Sequence, residues 1–200
     1  MKKILLCAVL VAALTSTSNA QLNVGLNGNY INYGSDTKKV PGAQLRVGYT
    51  FREKYAAYAG FSYSMPAKQI LSSSSTASAE QDSYMALSLS AIYHLIGRSD
   101  SKFSLYIPAG ASYVLATNKT TIDGVTEKEK SSGPTINAGL GTQFAIGTPI
   151  IFLEAAIAMP ANSTSNTVTG VTALNNSIPF HTILNLGVKL PLGGGSSGGF

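Results

Sequence analysis

Two histidines, His94 and His181, are the imidazoles this 200-residue chain offers to acid–base chemistry, and Cys7 is its one thiol. A hydrolytic triad needs a nucleophile, a base and an orienting acid within hydrogen-bond reach. Leu95 and Ile96 follow His94, and Thr182 and Ile183 follow His181, so neither imidazole has a serine two positions on. His181 reads as an interior or rim residue near a long connection. Metal chemistry has no better footing: Thr121-Ile122-Asp123-Gly124-Val125 offers one carboxylate where a calcium loop needs several. Glu80 and Asp82 read as a solvated loop end, and Lys128-Glu129-Lys130 as a loop of alternating charge. No catalytic, cofactor-binding or metal-ligating set emerges, and the expectation is a protein that is not an enzyme and carries no cofactor.

Composition narrows the class. Charged residues make up 12% of the chain, about half the ~25% of an average globular protein, and hydrophobic residues make up 44%. The net charge of +5 includes Lys2 and Lys3 of a leader, and no basic cluster is denser than Lys38-Lys39, so a nucleic-acid partner is not expected. Residues 1–20 combine two lysines, an apolar run from Ile4 to Leu14 and the small residues Ser18 and Ala20 before Gln21, the pattern of a cleaved secretory signal peptide. Cys7 would leave with it, and the mature chain would contain no disulfide or thiol. The best candidate for a spanning helix, residues 144–161, is broken by Gly147-Thr148-Pro149 and charged by Glu154, so it reads as two strands and a turn. An exported, apolar chain without such a helix is a secreted β-protein or a membrane β-barrel.

The elements that must position the few charged groups are strands. Phe103, Leu105, Ile107, Ala109, Ala111, Tyr113 and Leu115 alternate with Ser104, Tyr106, Pro108, Gly110, Ser112 and Val114. The same period of two runs through Leu22–Tyr33, Ala43–Phe51, Tyr55–Met65, Met85–Tyr93, Ile136–Ile146, Ile150–Met159 and Phe180–Leu190, giving eight segments. Past the leader, the charged residues inside these segments are Arg46, Glu154 and Lys189, each on the polar parity. A charge facing lipid at mid-bilayer costs ~2–4 kcal/mol, so these three are expected in a barrel lumen. Arg46 and Glu154 lie at similar heights above the short turns, which predicts an ion pair between them, with Lys189 nearer the short-turn mouth.

Connection lengths alternate as well. Tight links at residues 52–54, 96–102 and 147–149 interleave with long polar ones at 34–40, 66–83, 116–133 and 160–177. An even strand count, short turns at one end and long loops at the other describe an all-β, eight-stranded antiparallel transmembrane β-barrel with up-and-down meander topology. Ten residues rising ~3.3 Å each and tilted by ~40° cover ~25 Å, the height of an apolar membrane band. Tyr49, Phe51, Tyr55, Tyr93, Phe103 and Phe144 would form an aromatic girdle at the short-turn end, with Tyr30, Tyr63 and Tyr113 at the other.

On these features residues 21–192 resemble the small eight-stranded outer membrane β-barrels, OmpA-like and OmpX-like. The most specific match is Asn185-Leu186-Gly187-Val188-Lys189-Leu190-Pro191-Leu192, similar to the assembly signal of that family: a polar residue, a glycine two later, then hydrophobics three and five beyond it. The resemblance implies a bacterial outer membrane location, a lipid environment and recognition of Asn185, Gly187, Leu190 and Leu192 by the barrel assembly machinery. It implies a monomer with a structural or surface role and a lumen filled by side chains. Residues 193–200 would be a flexible Gly/Ser-rich tail. Other readings are an adhesion barrel acting through its outer loops, a narrow pore, and an exported soluble barrel that binds a small apolar ligand, with its apolar parity turned inward.

Overall fold

Runs in which β-branched and aromatic residues alternate with small polar ones pack well on a pleated surface, but each strand needs a neighbour for its backbone groups. The computed structural model describes residues 21–33, 38–51, 53–65, 67–70, 78–99, 101–122, 125–161 and 180–192, and among these the neighbours form one continuous circle. The strands are β1 (Gln21–Tyr33), β2 (Lys38–Phe51), β3 (Tyr55–Ser64), β4 (Ala67–Ile70), β5 (Ser78–Ile96), β6 (Phe103–Ile122), β7 (Val125–Ala145), β8 (Ile150–Pro160) and β9 (His181–Leu192). Consecutive strands other than β3 and β4 pair antiparallel, and β1 closes on β9 from Leu22↔Leu192 to Tyr33↔His181. β4 continues the line of β3: both pair with β5, Ser64 opposite Tyr84 and Ala67 opposite Gln81. The closed barrel therefore has eight staves, one of them made of β3 and β4 in succession.

Three connections differ from the sequence reading. In the stretch 34–40, Lys38–Val40 already belong to β2, with Tyr33↔Lys38 and Ile31↔Val40. The stretch 116–133 is paired strand, with Thr117↔Lys130, Lys119↔Lys128 and Ile122↔Val125. The stretch 66–83 contributes β4 and the start of β5. The cause is visible in the residues: threonines are strong strand formers, and Lys128-Glu129-Lys130 alternates with period two, as a strand with two different faces does. This hairpin runs nine residues beyond Tyr113, ~30 Å along the strand. The proposed signal peptide, the connection 160–177 and the tail 193–200 lie outside the described residues, except Pro160 and Ala161.

The faces sort as charge and hydropathy require. Leu26 is 63% exposed and Leu89 69% exposed on the outer wall, while Asn27 and Ser104 face inward and are buried. Large apolar groups outside and polar groups inside suit a lipid surround, and they oppose the soluble-barrel reading. At the short-turn end Phe51 stacks on Tyr55 at 6.1 Å, Tyr55 meets Tyr93 at 5.3 Å and Phe103 meets Phe144 at 5.1 Å. These outward rings form two aromatic clusters at the short-turn end, of tyrosine and phenylalanine. Gly97 and Gly147 take positive φ in the tight turns, where a side chain would be strained.

Inside, two tyrosines lie flat over glycines on the neighbouring strand. Tyr58 is opposite Gly48, and Tyr106 opposite Gly141. A Cβ at Gly141 would fall within 2.4 Å of the Tyr106 ring. Gly141→Ala should therefore cost about 1–3 kcal/mol through overpacking. Gly133→Ala, where a Cβ meets nothing, should be neutral. Urea unfolding midpoints of the refolded variants in detergent check the pair, and equal midpoints would show that Tyr106 moves aside freely.

Candidate functional site: the lumen

Inward parity delivers Arg46 from β2, Asn185 and Lys189 from β9, Glu154 from β8 and Tyr106 from β6 to one region of the barrel axis. A guanidinium is planar and forked, so it meets a carboxylate best with two parallel hydrogen bonds. Arg46 Nη1 donates to Glu154 Oε1 at 2.7 Å and Nη2 to Oε2 at 2.5 Å. The remaining lone pairs are also used: Tyr106 Oη donates to Glu154 Oε1 at 3.0 Å, and Asn185 Nδ2 to Oε2 at 3.3 Å. Arg46 Nε donates to Gln44 Oε1 at 2.7 Å, and its guanidinium lies 4.9 Å from the Phe152 ring centroid. The carboxylate's side chain is 4% exposed. This pair bridges two staves that are not neighbours, across the intervening β1 and β9.

Lys189 sits on the same rung as Gly25, which also opposes Arg46. Two cations so close would repel, and they diverge: Arg46 turns to Glu154, whereas Lys189 Nζ donates to Gln143 Oε1 at 2.5 Å and lies 3.5 Å from Tyr58 Oη. Gln143 Nε2 in turn donates to the carbonyl of Ser99 in a short turn, at 2.8 Å. Lys189 is thus tied to the short-turn end.

Above the ion pair lies a cavity of about 60 Å³ lined by Asn29, Gln44, Ser62, Ser88, Ser112, Asn137 and Glu154 among others. A polar cavity of this kind has room for ordered water. Ile31, Tyr84, Ala86, Val114 and Ala116 then pack together at the long-strand end, with Ile183 packed against them and His181 edge-on to Tyr84 at 6.2 Å. A polar base, an ionic waist and an apolar cap fill the bore at three heights.

The candidate groups for catalysis are dispersed. His94 Nδ1 lies 3.0 Å from Ser104 Oγ, a base-to-nucleophile distance, yet both residues are at most 1% exposed and Tyr106 covers the imidazole at 5.4 Å. His181 is at the other end of the barrel. Among the described residues no three His, Cys, Asp or Glu side chains gather as a metal would require. In the segment Asn185–Leu192, expected from the sequence to be an assembly signal, Leu190 and Leu192 face outward and Asn185 inward. A Cβ on Gly187 would meet Asn27 Cβ of the closing strand β1.

Sequence reasoning missed Tyr58, Tyr106 and Gln143 as partners of the charges, and the apolar cap entirely. Parity could have placed each inward. Their meeting across the bore depends on barrel stagger, which parity does not contain.

A family model described as outer membrane protein beta-barrel domain matches residues 4–148. Among solved structures, a major outer membrane protein from Thermus thermophilus is similar with a TM-score of 0.65 at 10% identity, covering 86% of this chain and 99% of that one. Neisserial surface protein A has a TM-score of 0.54 at 12% identity, covering 86% and 97%. Ail, the attachment invasion locus protein of Yersinia pestis, has a TM-score of 0.54 at 14% identity, covering 88% and 99%. No curated protein sequence matches the chain. At such identities the structural likeness is one of fold.

Proposed function

The chain belongs to the outer membrane protein beta-barrel domain family, and from that premise we propose that it works as a sealed, non-enzymatic barrel whose long-strand end faces outside the cell. As a member it is an integral protein of the bacterial outer membrane, held in lipid by its apolar wall. The observation that carries the sealed-barrel reading is the filled lumen, with the Arg46–Glu154 pair at its waist and the cap around Ile31, Tyr84 and Val114 above it. An eight-stave bore is just wide enough for side chains to fill, so bulk solute flow has no path. The burial of His94 and Ser104 supports a non-enzymatic role, because a substrate would have no access to them. What the cell uses is then the outer surface, above all the β6–β7 hairpin. Export would follow removal of residues 1–20, and folding would follow capture of Asn185–Leu192 by the assembly machinery, giving a monomer.

Orientation is testable in whole cells, because the lone cysteine lies in the leader. A cysteine placed at Thr126, at the tip of β6–β7, should react with an impermeant maleimide, while one at Thr148 in the β7–β8 turn should not. Labelling at Thr148 with protection at Thr126 would invert the barrel and end this reading.

A further inference from the structure

The wall lacks one backbone bond at mid-height. The β6–β7 ladder runs from Phe103↔Phe144 to Tyr106↔Gly141, breaks, and resumes at Ala109↔Ala138 in the same register. Pro108 falls opposite Gly139 in that break. A proline has no N–H, so the Gly139 carbonyl loses its donor on β6, and for that reason proline is rare in the middle of a sheet. The other stave pairs are continuous through their middles. In β5–β6 the register shifts between Gln81 and Ser83 and between His94 and Ile96, toward the two ends of β5. Pro108, by contrast, is midway between the outward rings of Phe103 and Tyr113.

What lies on either side decides what such a break can do. Inside is the polar cavity above the ion pair: Pro108 lines it, with Ser112 and Asn137 from the same two staves, and Asn137 Nδ2 donates to Ser112 Oγ at 2.8 Å. Outside, the rung next to the break is alanine on four successive staves, Ala57, Ala91, Ala109 and Ala138. A methyl group is the shortest apolar cover a side chain gives, so at this rung little more than backbone separates the polar cavity from lipid. In hydrocarbon an unpaired backbone carbonyl is costly. Turning the Gly139 carbonyl toward the polar cavity relieves that cost and draws β6 and β7 apart.

We propose that the β6–β7 seam at Pro108 and Gly139 is a lateral opening point of the barrel, where the two staves part ahead of the rest of the wall and join the lumen cavity sideways to the lipid. The route runs across the barrel axis, so it goes beyond the sealed-barrel reading and leaves the waist and cap closed lengthwise.

The test uses the refolded barrel in lipid bicelles, with amide hydrogen exchange read by NMR. Gly110 and Gly139, which flank the break, should have protection factors about tenfold lower than Leu26 and Asn27 on the unbroken β1–β9 pair, as one lost hydrogen bond would give. Pro108→Val supplies the missing N–H and should remove most of that difference. A disulfide between Ala109→Cys and Ala138→Cys, opposite each other on the seam, should remove it as well, and reduction should restore it. The disulfide keeps the test decisive where the valine variant fails to refold. In the variant Ser112→Cys, a small uncharged maleimide that partitions into lipid should label the lumen cysteine, a charged one should not, and adding Pro108→Val should slow the labelling. Equal protection on the two pairs, or a difference that neither Pro108→Val nor the disulfide reduces, would overturn the opening point. Labelling by the charged reagent at an equal rate, or by neither reagent, would overturn the lateral route. Failure of the sealed-barrel reading shows separately, as conductance along the bore.

Discussion

Glu154→Gln should lower the stability of the refolded barrel by about 3–5 kcal/mol, because it leaves the Arg46 guanidinium buried without a counter-charge. Arg46→Gln should cost a similar amount by stranding the carboxylate. The double variant should lose less than either single change, since two neutral amides can share the hydrogen bonds that Gln44, Tyr106 and Asn185 already provide. The pair links β2 to β8 across two staves, so its geometry holds the bore closed at the waist. Equilibrium urea unfolding in detergent reads all three. If the three variants unfold at the same urea concentration as the unaltered protein, the contact has no energetic role.

An equally large effect is expected on biogenesis. Changing Leu190 and Leu192 to serine should leave exported protein unassembled in the periplasm and open to protease. Both leucines lie on the outer face of β9, opposite Val24 and Leu22 of the strand that closes the barrel. Loss of lipid-facing area alone would also weaken the barrel, and a matched control separates the two causes. Leu184→Ser with Leu186→Ser removes the same apolar area from the same face while sparing the last two hydrophobic positions of Asn185–Leu192. It should assemble better. Deleting residues 193–200 should change little. Equal failure of the two leucine pairs would reduce the segment to an ordinary closing strand, and a block caused by the tail deletion would move the signal to Phe200.

Much of this molecule is legible in period and parity. The eight staves follow from alternation, and Arg46, Glu154 and Lys189 had to point inward because lipid penalises each of them by more than a typical contact contributes. Even the partnership of Arg46 with Glu154 could be read, since both heights count from short turns. Gln143 and Tyr58 could not be matched to Lys189, because that match depends on how far the sheet is sheared when it closes. The β6–β7 extension was misread for a different reason. Threonine, asparagine, glycine and charge suggest loop by composition, while Lys128-Glu129-Lys130 states strand by period, and outside the bilayer nothing forces the two faces to differ in hydropathy. The cap of Ile31, Tyr84 and Val114 was hidden because apolar residues on the inward parity break the rule that otherwise identifies the lumen.

Conductance across a planar bilayer tests the central claim most directly. The purified barrel, inserted and held under voltage, should pass no steps of the size a water-filled porin gives, because the Arg46–Glu154 waist and the apolar cap leave no continuous aqueous path. Stable porin-sized steps from folded, unaltered protein would contradict it.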